Sequence, residues 1–448
     1  MPRRLAALLC LTFTILTAPL ARAGSLAPLH AEALPGSFWA PVAFIQDPAQ
    51  DHIQYVLSQG GLIYILENGV TRPQFFLDIR PQVRFFDEMG CLGLAFAPDY
   101  ADSGRFYVLF SAANPEGVIV IARFKRSSTN PFIADPASQF NLVFDGEPYI
   151  QRPPGVHNAG TIGFGPDGCL YVALGEAGDE SLAQNPTSLH GKILRIDVAV
   201  PDTHATGHVI PPTNPFLPQN NPPVQNARPE LWHVGLRNAW KWAFDDQGRG
   251  HTNAMILGDV GGANYEEIDV APNNIPALNF GWPILEGPAP HNNIPAMYLP
   301  LTDPAHSWPQ NGAFSSVTAG YVNRNGRQCS HFGRYFFADF GQGRIFSMRF
   351  DGVTLSDLVE HSTELLGGAR PFLPSFGRDA AGYLYFLTYD PGRVYRIRSD
   401  DAPLLGDISG DGAVDFLDLN LVLSDFGPTY TFSDLNAVLS NFGVLCGQ

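Results

Sequence analysis

A histidine and a glutamate on either side of one hairpin pattern are the residues of this chain best placed to move a proton. Val156-His157-Asn-Ala-Gly160 precedes Ile162-Gly-Phe-Gly-Pro-Asp-Gly168 and Cys169-Leu-Tyr-Val-Ala-Leu174, and Gly175-Glu176-Ala-Gly-Asp179 follows. Two strands joined by a tight Asp/Gly turn return the chain to the end it left, so His157 and Glu176 are expected at the same end of one blade. A carboxylate there would fix the imidazole tautomer and favour the cation formed when the ring takes a proton, which makes His157 a candidate general base and Glu176 its orienter. The spacing equally suits a loop histidine bonded to a turn acid.

A second constellation lies near the C-terminus. Asp407, Ser409 and Asp411 supply side-chain oxygens at loop positions 1, 3 and 5, Gly412 stands where the loop turns sharply, Ala413 offers its carbonyl, and Asp418 falls at position 12. Calcium takes six to eight hard oxygen ligands, and this spacing wraps them around one ion. A solvated acidic turn is the alternative. Phe416-Leu-Asp-Leu-Asn-Leu-Val-Leu-Ser-Asp-Phe-Gly427 then returns as Phe432-Ser-Asp-Leu-Asn-Ala-Val-Leu-Ser-Asn-Phe-Gly443. A calcium loop followed by a duplicated helix resembles a type I dockerin, which implies a cohesin-like or cell-envelope partner. The second half departs from that family, because Gly427-Pro-Thr-Tyr-Thr-Phe-Ser433 keeps only Asp434 of a calcium loop.

Composition bounds the elements that carry these residues. The 448 residues include 45 Gly and 39 Pro, 12% are aromatic and 16% charged, and the formal charge is -16. Such a chain buries a large core and is neither disordered nor a coiled coil. The acidic balance argues against nucleic-acid binding. Met1 to Ala23 reads as a signal peptide, with Arg3 and Arg4, an apolar run from Leu5 to Leu20 and Ala21-Arg22-Ala23 before Gly24, so a secreted or periplasmic protein without a membrane span is expected. Cys91, Cys169, Cys329 and Cys446 would then meet an oxidising compartment, where up to two disulfides can form with pairings the sequence leaves open.

Residues 24–398 repeat one unit. Leu94-Ala-Phe-Ala-Pro-Asp-Tyr100 leads to Arg105-Phe-Tyr-Val-Leu-Phe110, Ile162 to Gly168 leads to the strand after Cys169, and Ser375-Phe-Gly-Arg-Asp-Ala-Ala-Gly382 leads to Tyr383-Leu-Tyr-Phe-Leu-Thr388. Strand, Asp/Gly turn and strand is the hairpin that a propeller blade repeats, so the expected fold is an all-β, six-bladed β-propeller with long loops. His204 to Arg228 is the clearest inserted loop. Residues 399–405 read as a linker and 406–448 as a small helical calcium-loop module. Trp240, Trp242 and Trp282 are expected in the blade core, Lys192 in a structural strand, and Glu266 and Glu267 either in a solvated turn or beside a metal.

Five ordered motifs carry a wider resemblance. They are Asp87-Glu-Met-Gly-Cys-Leu-Gly-Leu-Ala-Phe-Ala-Pro-Asp-Tyr100, His157 with Gly163-Phe-Gly-Pro-Asp-Gly168, Gly191-Lys-Ile-Leu-Arg-Ile-Asp197, Pro229-Glu-Leu-Trp-His-Val-Gly-Leu-Arg-Asn238 and Asn279-Phe-Gly-Trp-Pro283. Together they resemble the glucose/sorbosone dehydrogenase family, six-bladed propellers that use pyrroloquinoline quinone (PQQ) and calcium. The resemblance implies oxidation of aldose sugars or polyols, with His157 as base and Glu176 as its orienter. It places Arg237 and Asn238 against the quinone, Glu88 at a cofactor-side polar position, and the Gly261 and Gly262 carbonyls on calcium. Two positions depart from the pattern: Gly341 stands where well-studied members carry a lysine, and Phe372-Leu-Pro-Ser-Phe-Gly-Arg378 lacks their arginine pair. Ser315-Ser-Val-Thr-Ala-Gly-Tyr-Val322, Ala338-Asp-Phe340 and Ser375-Phe-Gly377 look more like the Hedgehog-interacting-protein branch, which implies a non-catalytic propeller binding glycan or protein. A calcium-dependent lactonase is the third reading.

Overall fold

In the computed structural model, which describes residues 26–152, 156–158, 160–312 and 314–446, six four-stranded antiparallel sheets are arranged as a six-bladed β-propeller. The signal reading at residues 1–23 lies outside the described residues. Each blade runs outward from a first strand at the axis: Pro41–Gln46, Cys91–Phe96, Ile162–Phe164, Ala239–Phe244, Val317–Val322 and Phe376–Arg378. The apolar runs form these strands because both faces of each blade pack on neighbours, and Ile53–Ser58 and Cys91–Phe96 are buried at every position. Closure depends on the chain ends. Leu29–Ala33 pairs with Arg393–Ser399 and completes the last blade, whose Gly377 lies so close to the first that a Cβ there would meet the Phe44 carbonyl at 2.6 Å. Among the described residues no helix is long and apolar enough to cross a membrane.

Asp/Gly turns account for the hairpins that the sequence suggests. Ile162–Phe164 pairs with Leu170–Leu174 around Pro166 to Gly168, and Gly168 takes a φ of 76°, a left-handed conformation suited to glycine. Lys192 is the structural strand residue expected, with Nζ donating to the Leu182, Ala183 and His190 carbonyls at 2.7, 2.9 and 2.8 Å. Trp242 and Trp282 are buried, and Trp240 packs against the core while one part of it lines a cavity. The strand Ala239–Phe244 has a register shift between Ala239 and Lys241, and a bulge of this kind re-aims side chains next to a cavity. Glu266 and Glu267 do not form a solvated turn; they lie on the strand Tyr265–Ala271, and Glu266 is fully buried.

The C-terminal segment is docked on the propeller. Helices Phe416–Ser424 and Phe432–Ser440 both begin with reciprocal capping boxes, through Asp415 with Asp418 and Thr431 with Asp434. Val414, Val422 and Val438 form their small core. The segment before them does not hang free, since Ser330 and Ser399 donate to the Asp401 carboxylate. Cys446 is joined to Cys329 in a disulfide, Gly326 N donates to Gly410 O at 3.2 Å, and Cys446 N donates to Gly412 O at 2.8 Å. Of the two bridges that four cysteines allow, one forms; Cys91 and Cys169 are free and buried.

This docking has a measurable consequence. Cys446→Ser should weaken the seat of the tail by about 2–4 kcal/mol, the usual worth of a cross-link. Amide exchange across Asp407 to Asp418 should speed up while the inner strands keep their protection, and unchanged exchange in the loop would contradict the docking.

Candidate active site

Loops leaving the inner strands at one end of the ring enclose a cavity of about 510 Å³. Gln59, Glu88, His157, Arg237, Asn238, Trp240, Gly261 and Gly262 line it. The hairpin from Ile162 to Leu174 brings His157 back beside Glu176, and His157 Nδ1 lies 2.7 Å from Glu176 Oε1. Glu176 is only 1% exposed, so its charge has little water to lean on. It accepts instead from His157 and from the Gly178 amide, while its own N–H donates to the Arg237 carbonyl at 2.9 Å. In the tautomer that keeps its proton on Nδ1 and donates it to the carboxylate, Nε2 carries the free lone pair. His157 has a φ of 61°, an unusual conformation for a residue with a side chain, and its N–H is held at 2.6 Å by Glu88 Oε2. Glu88 thus fixes the backbone that carries the His157 ring.

Two further carboxylates set the opposite wall. Asp259 accepts the Arg237 and Asn238 amides at 2.8 and 2.6 Å. Arg237 donates to the Val260 carbonyl at 3.0 Å and lies over the Trp282 ring. Glu286 Oε1 takes the amides of Gly262, Ala263, Asn264 and Tyr265 at 2.9, 2.8, 2.7 and 3.1 Å, which pins the turn bearing Gly261 and Gly262. Burial opposes the Glu286 charge, but the Asn264, Tyr265 and Ala263 amides and the Asn264 side chain outweigh it and leave its pKa below the ordinary value. No motif in the sequence points to Glu286, which arrives from the short excursion Leu285–Glu286 and Ala289–Pro290. Asp259 stands two residues before Gly261, and no motif of its own marks it in the sequence.

The six cavity residues named from the sequence, Glu88, His157, Arg237, Asn238, Gly261 and Gly262, are brought together, and Glu176 lies behind His157. The tail residues Asp407, Ser409, Asp411, Ala413 and Asp418 form a separate group. Asp407 accepts from Ser409, Gly410, Asp411 and Gly412, Asp411 accepts the Ala413 amide, and the buried Asp418 accepts from Ser409 and Asp415. These bonds curl the loop around its oxygens.

A PQQ-like quinone has partial counterparts here. The Asn238 Oδ1 atom is buried without a partner beside Arg237, and a Cβ at Gly261 would strike the Tyr265 carbonyl, so this turn is shaped by glycine. These residues fit the reactive end of a flat quinone. The rest of the cavity wall is aromatic, formed by Phe314, Phe340, Tyr389 and Trp240, and it would offer the carboxylates of a quinone no cation; beside it a Cβ at Gly341 would meet Phe314 O at 2.5 Å. Arg378 turns away to Asp246 at 2.7 Å.

The fold and the cavity together define a six-bladed propeller with a carboxylate-oriented histidine at one end of its axis. A family model described as "Glucose / Sorbosone dehydrogenase" matches residues 41–396, and the chain belongs to that family. An Arabidopsis thaliana relative called HIPL1 protein is 30% identical over 72% of this chain and 55% of its own length, so the chain spans about half of that relative. The Escherichia coli aldose sugar dehydrogenase YliI is 27% identical over 62% of this chain and 66% of its own. The structure of a PQQ-bound aldose sugar dehydrogenase from Streptomyces coelicolor superposes with a TM-score of 0.62 at 22% identity, covering 83% of this chain and 99% of that one.

Behind the wall, carboxylate oxygens of Asp259, Glu267 and Asp269 lie within 4.8 Å of one another, and both oxygens of Asp269 are buried without partners. Asp259 faces Glu267 across paired strands, and Asp269 follows two residues later on the same face. Burial, then the neighbouring charges, pushes Glu267 and Asp269 well above the carboxylate range, and burial raises Asp259 to about 6. Carboxyls raised in this way keep protons that the unfolded chain has released, so their contribution is complete below about pH 4 and is lost as pH rises through the folded values. In chelator the melting temperature should therefore fall from about pH 5 to 8, and Asp269→Asn should flatten the fall. A variant with the parental pH profile would contradict this.

Proposed function

We propose that this chain is a quinone-dependent dehydrogenase that oxidises aldose sugars or related polyols outside the cytoplasm. The observation that carries the reading is the His157–Glu176 pair, preset by Glu88 and facing a cavity shared with Arg237, Asn238, Gly261 and Gly262. His157 Nε2 takes the proton of a carbinol hydroxyl, and Glu176 stabilises the imidazolium that results. The carbinol carbon gives up its hydrogen as hydride and becomes a carbonyl. PQQ, when bound, supplies the hydride acceptor. Arg237 and Asn238 would hold it, the Gly261 and Gly262 carbonyls would hold a calcium ion beside it, and the aromatic wall would cover its face in place of further cations.

Reconstitution with PQQ and calcium should give aldose-dependent reduction of an artificial dye. His157→Ala should lower kcat by about 10²–10⁴-fold, the range of a lost general base, and Glu176→Gln should lower kcat with KM little changed. Dye reduction absent with every aldose, or intact in His157→Ala, would overturn the assignment.

The same aromatic wall favours a second reading. Phe314 is 66% exposed at the mouth of the cavity, and a broad apolar rim without a lysine suits a propeller that binds glycan or protein without turnover. Binding of a glycan array component by quinone-free protein, unchanged in His157→Ala, would support that reading over the first.

The tail is proposed as a dockerin-like attachment module that takes one calcium ion through Asp407, Ser409, Asp411, Ala413 and Asp418. Asp407→Ala with Asp411→Ala should remove one calcium per full-length chain in elemental analysis. Capture of the full chain by a cohesin-type domain or cell-envelope polymer should be lost in chelator, and capture that ignores chelator would contradict a calcium-built surface.

A further inference from the structure

The three lysines of this chain have three different surroundings. Lys125 pairs with Asp202, and the ammonium of Lys192 gives its three donors to three carbonyls. Lys241 is 6% exposed, and among the described residues no carboxylate, carbonyl or hydroxyl accepts from it. Its Nζ rests 4.3 Å from the centroid of the Trp240 ring. Burial lowers its pKa to about 7, with no acid to offset the effect.

Lys241 reaches into a cavity of about 280 Å³ along the propeller axis. This space takes over where the candidate active site ends: Val42 gives way to Ala43, Trp240 to Lys241 and Pro374 to Ser375. The lining comes from all six inner strands or the residues adjoining them, and it carries no carboxylate. Gln46, Thr161, Gln247 and Tyr321 bring neutral polar groups to the same wall. The Lys241 side chain is largely buried while its ammonium stays open to this cavity, so an acid-free charge here is costly unless a partner enters from solvent, and one aromatic face compensates only part of the lost hydration.

We propose that the axial cavity at Lys241 is a binding site for a small monovalent anion, of halide, nitrate or formate size, that pairs with the ammonium. A multivalent anion would exceed the one positive charge available, and a cation would meet no carboxylate. The site lies below the Trp240 ring, so the ion forms part of the floor of the candidate active site without touching a substrate. The inference does not depend on quinone chemistry.

The test uses full-length, quinone-free protein in chelator. With ¹⁵N-lysine labelling only three side chains report, and substitution with methionine assigns each. At constant pH and ionic strength, replacing a bulky organic anion by bromide, nitrate or formate should move the Lys241 signal saturably and leave Lys125 and Lys192 still. In Lys241→Met the stabilisation that these anions give in thermal unfolding should disappear, equivalent to an affinity loss of about tenfold or more for one charge-assisted contact. Lys125→Met should keep it. A Lys241 signal indifferent to all three anions would overturn the proposal, and it can be read in the parental protein even if Lys241→Met does not fold. Equal anion responses in the parent and Lys241→Met would overturn it as well.

Discussion

Carboxylates that accept backbone N–H groups hold the loops of the cavity in position. Glu88 grips the amide of His157, Asp259 the amides of Arg237 and Asn238, and Glu286 four consecutive amides from Gly262 to Tyr265. A loop crossing the end of a propeller has few strand partners for its N–H groups, and leaving them buried and unpaired would cost more than burying a carboxylate they can share. Each acid therefore converts a flexible connection into a fixed surface. Part of the acidic balance of the chain is explained in this way: these charges face inward, toward peptide dipoles, and are not displayed to a partner.

The ring supplies the other half of the constraint. Pairing of Leu29–Ala33 with Arg393–Ser399 closes the last blade with residues from both ends of the sequence, so the six inner strands share one axis and their loops converge. The docked tail extends the same economy, with the Cys329–Cys446 bridge joining the acidic loop to the fifth blade at Gly326. What the chain lacks at the cavity is also structural: the Phe314 backbone occupies the space that a side chain at position 341 would need.

The blade hairpins were legible because Pro-Asp-Gly turns and alternating apolar runs are local signals. His157 and Glu176 could be paired for the same reason, since a hairpin of known length fixes where its two ends lie. Trp240 packs against the core as expected, but its share in the cavity wall was not legible, because the register shift after Ala239 is not encoded in hydrophobic pattern. Glu286 was not found because its contacts span more than twenty residues and depend on how a small excursion folds back. The buried carboxylates Asp259, Glu267 and Asp269 look like surface residues in the sequence, where strand alternation alone cannot tell which face of a blade meets its neighbour. The disulfide pairing depended on the docking of the tail, for which no motif exists.

The central claim is that a carboxylate-oriented histidine shares one cavity with Arg237, Asn238, Gly261 and Gly262, so that a carbinol there would lose its proton to His157 and its hydride to a bound quinone. The most direct measurement is the rate of aldose oxidation by the PQQ- and calcium-loaded protein with hydrogen or deuterium at the anomeric carbon, in parent and His157→Ala. The account predicts a primary isotope effect on kcat in the parent and a large loss of rate in the variant. Equal rates for the two isotopic substrates, combined with an unaffected His157→Ala, would contradict it.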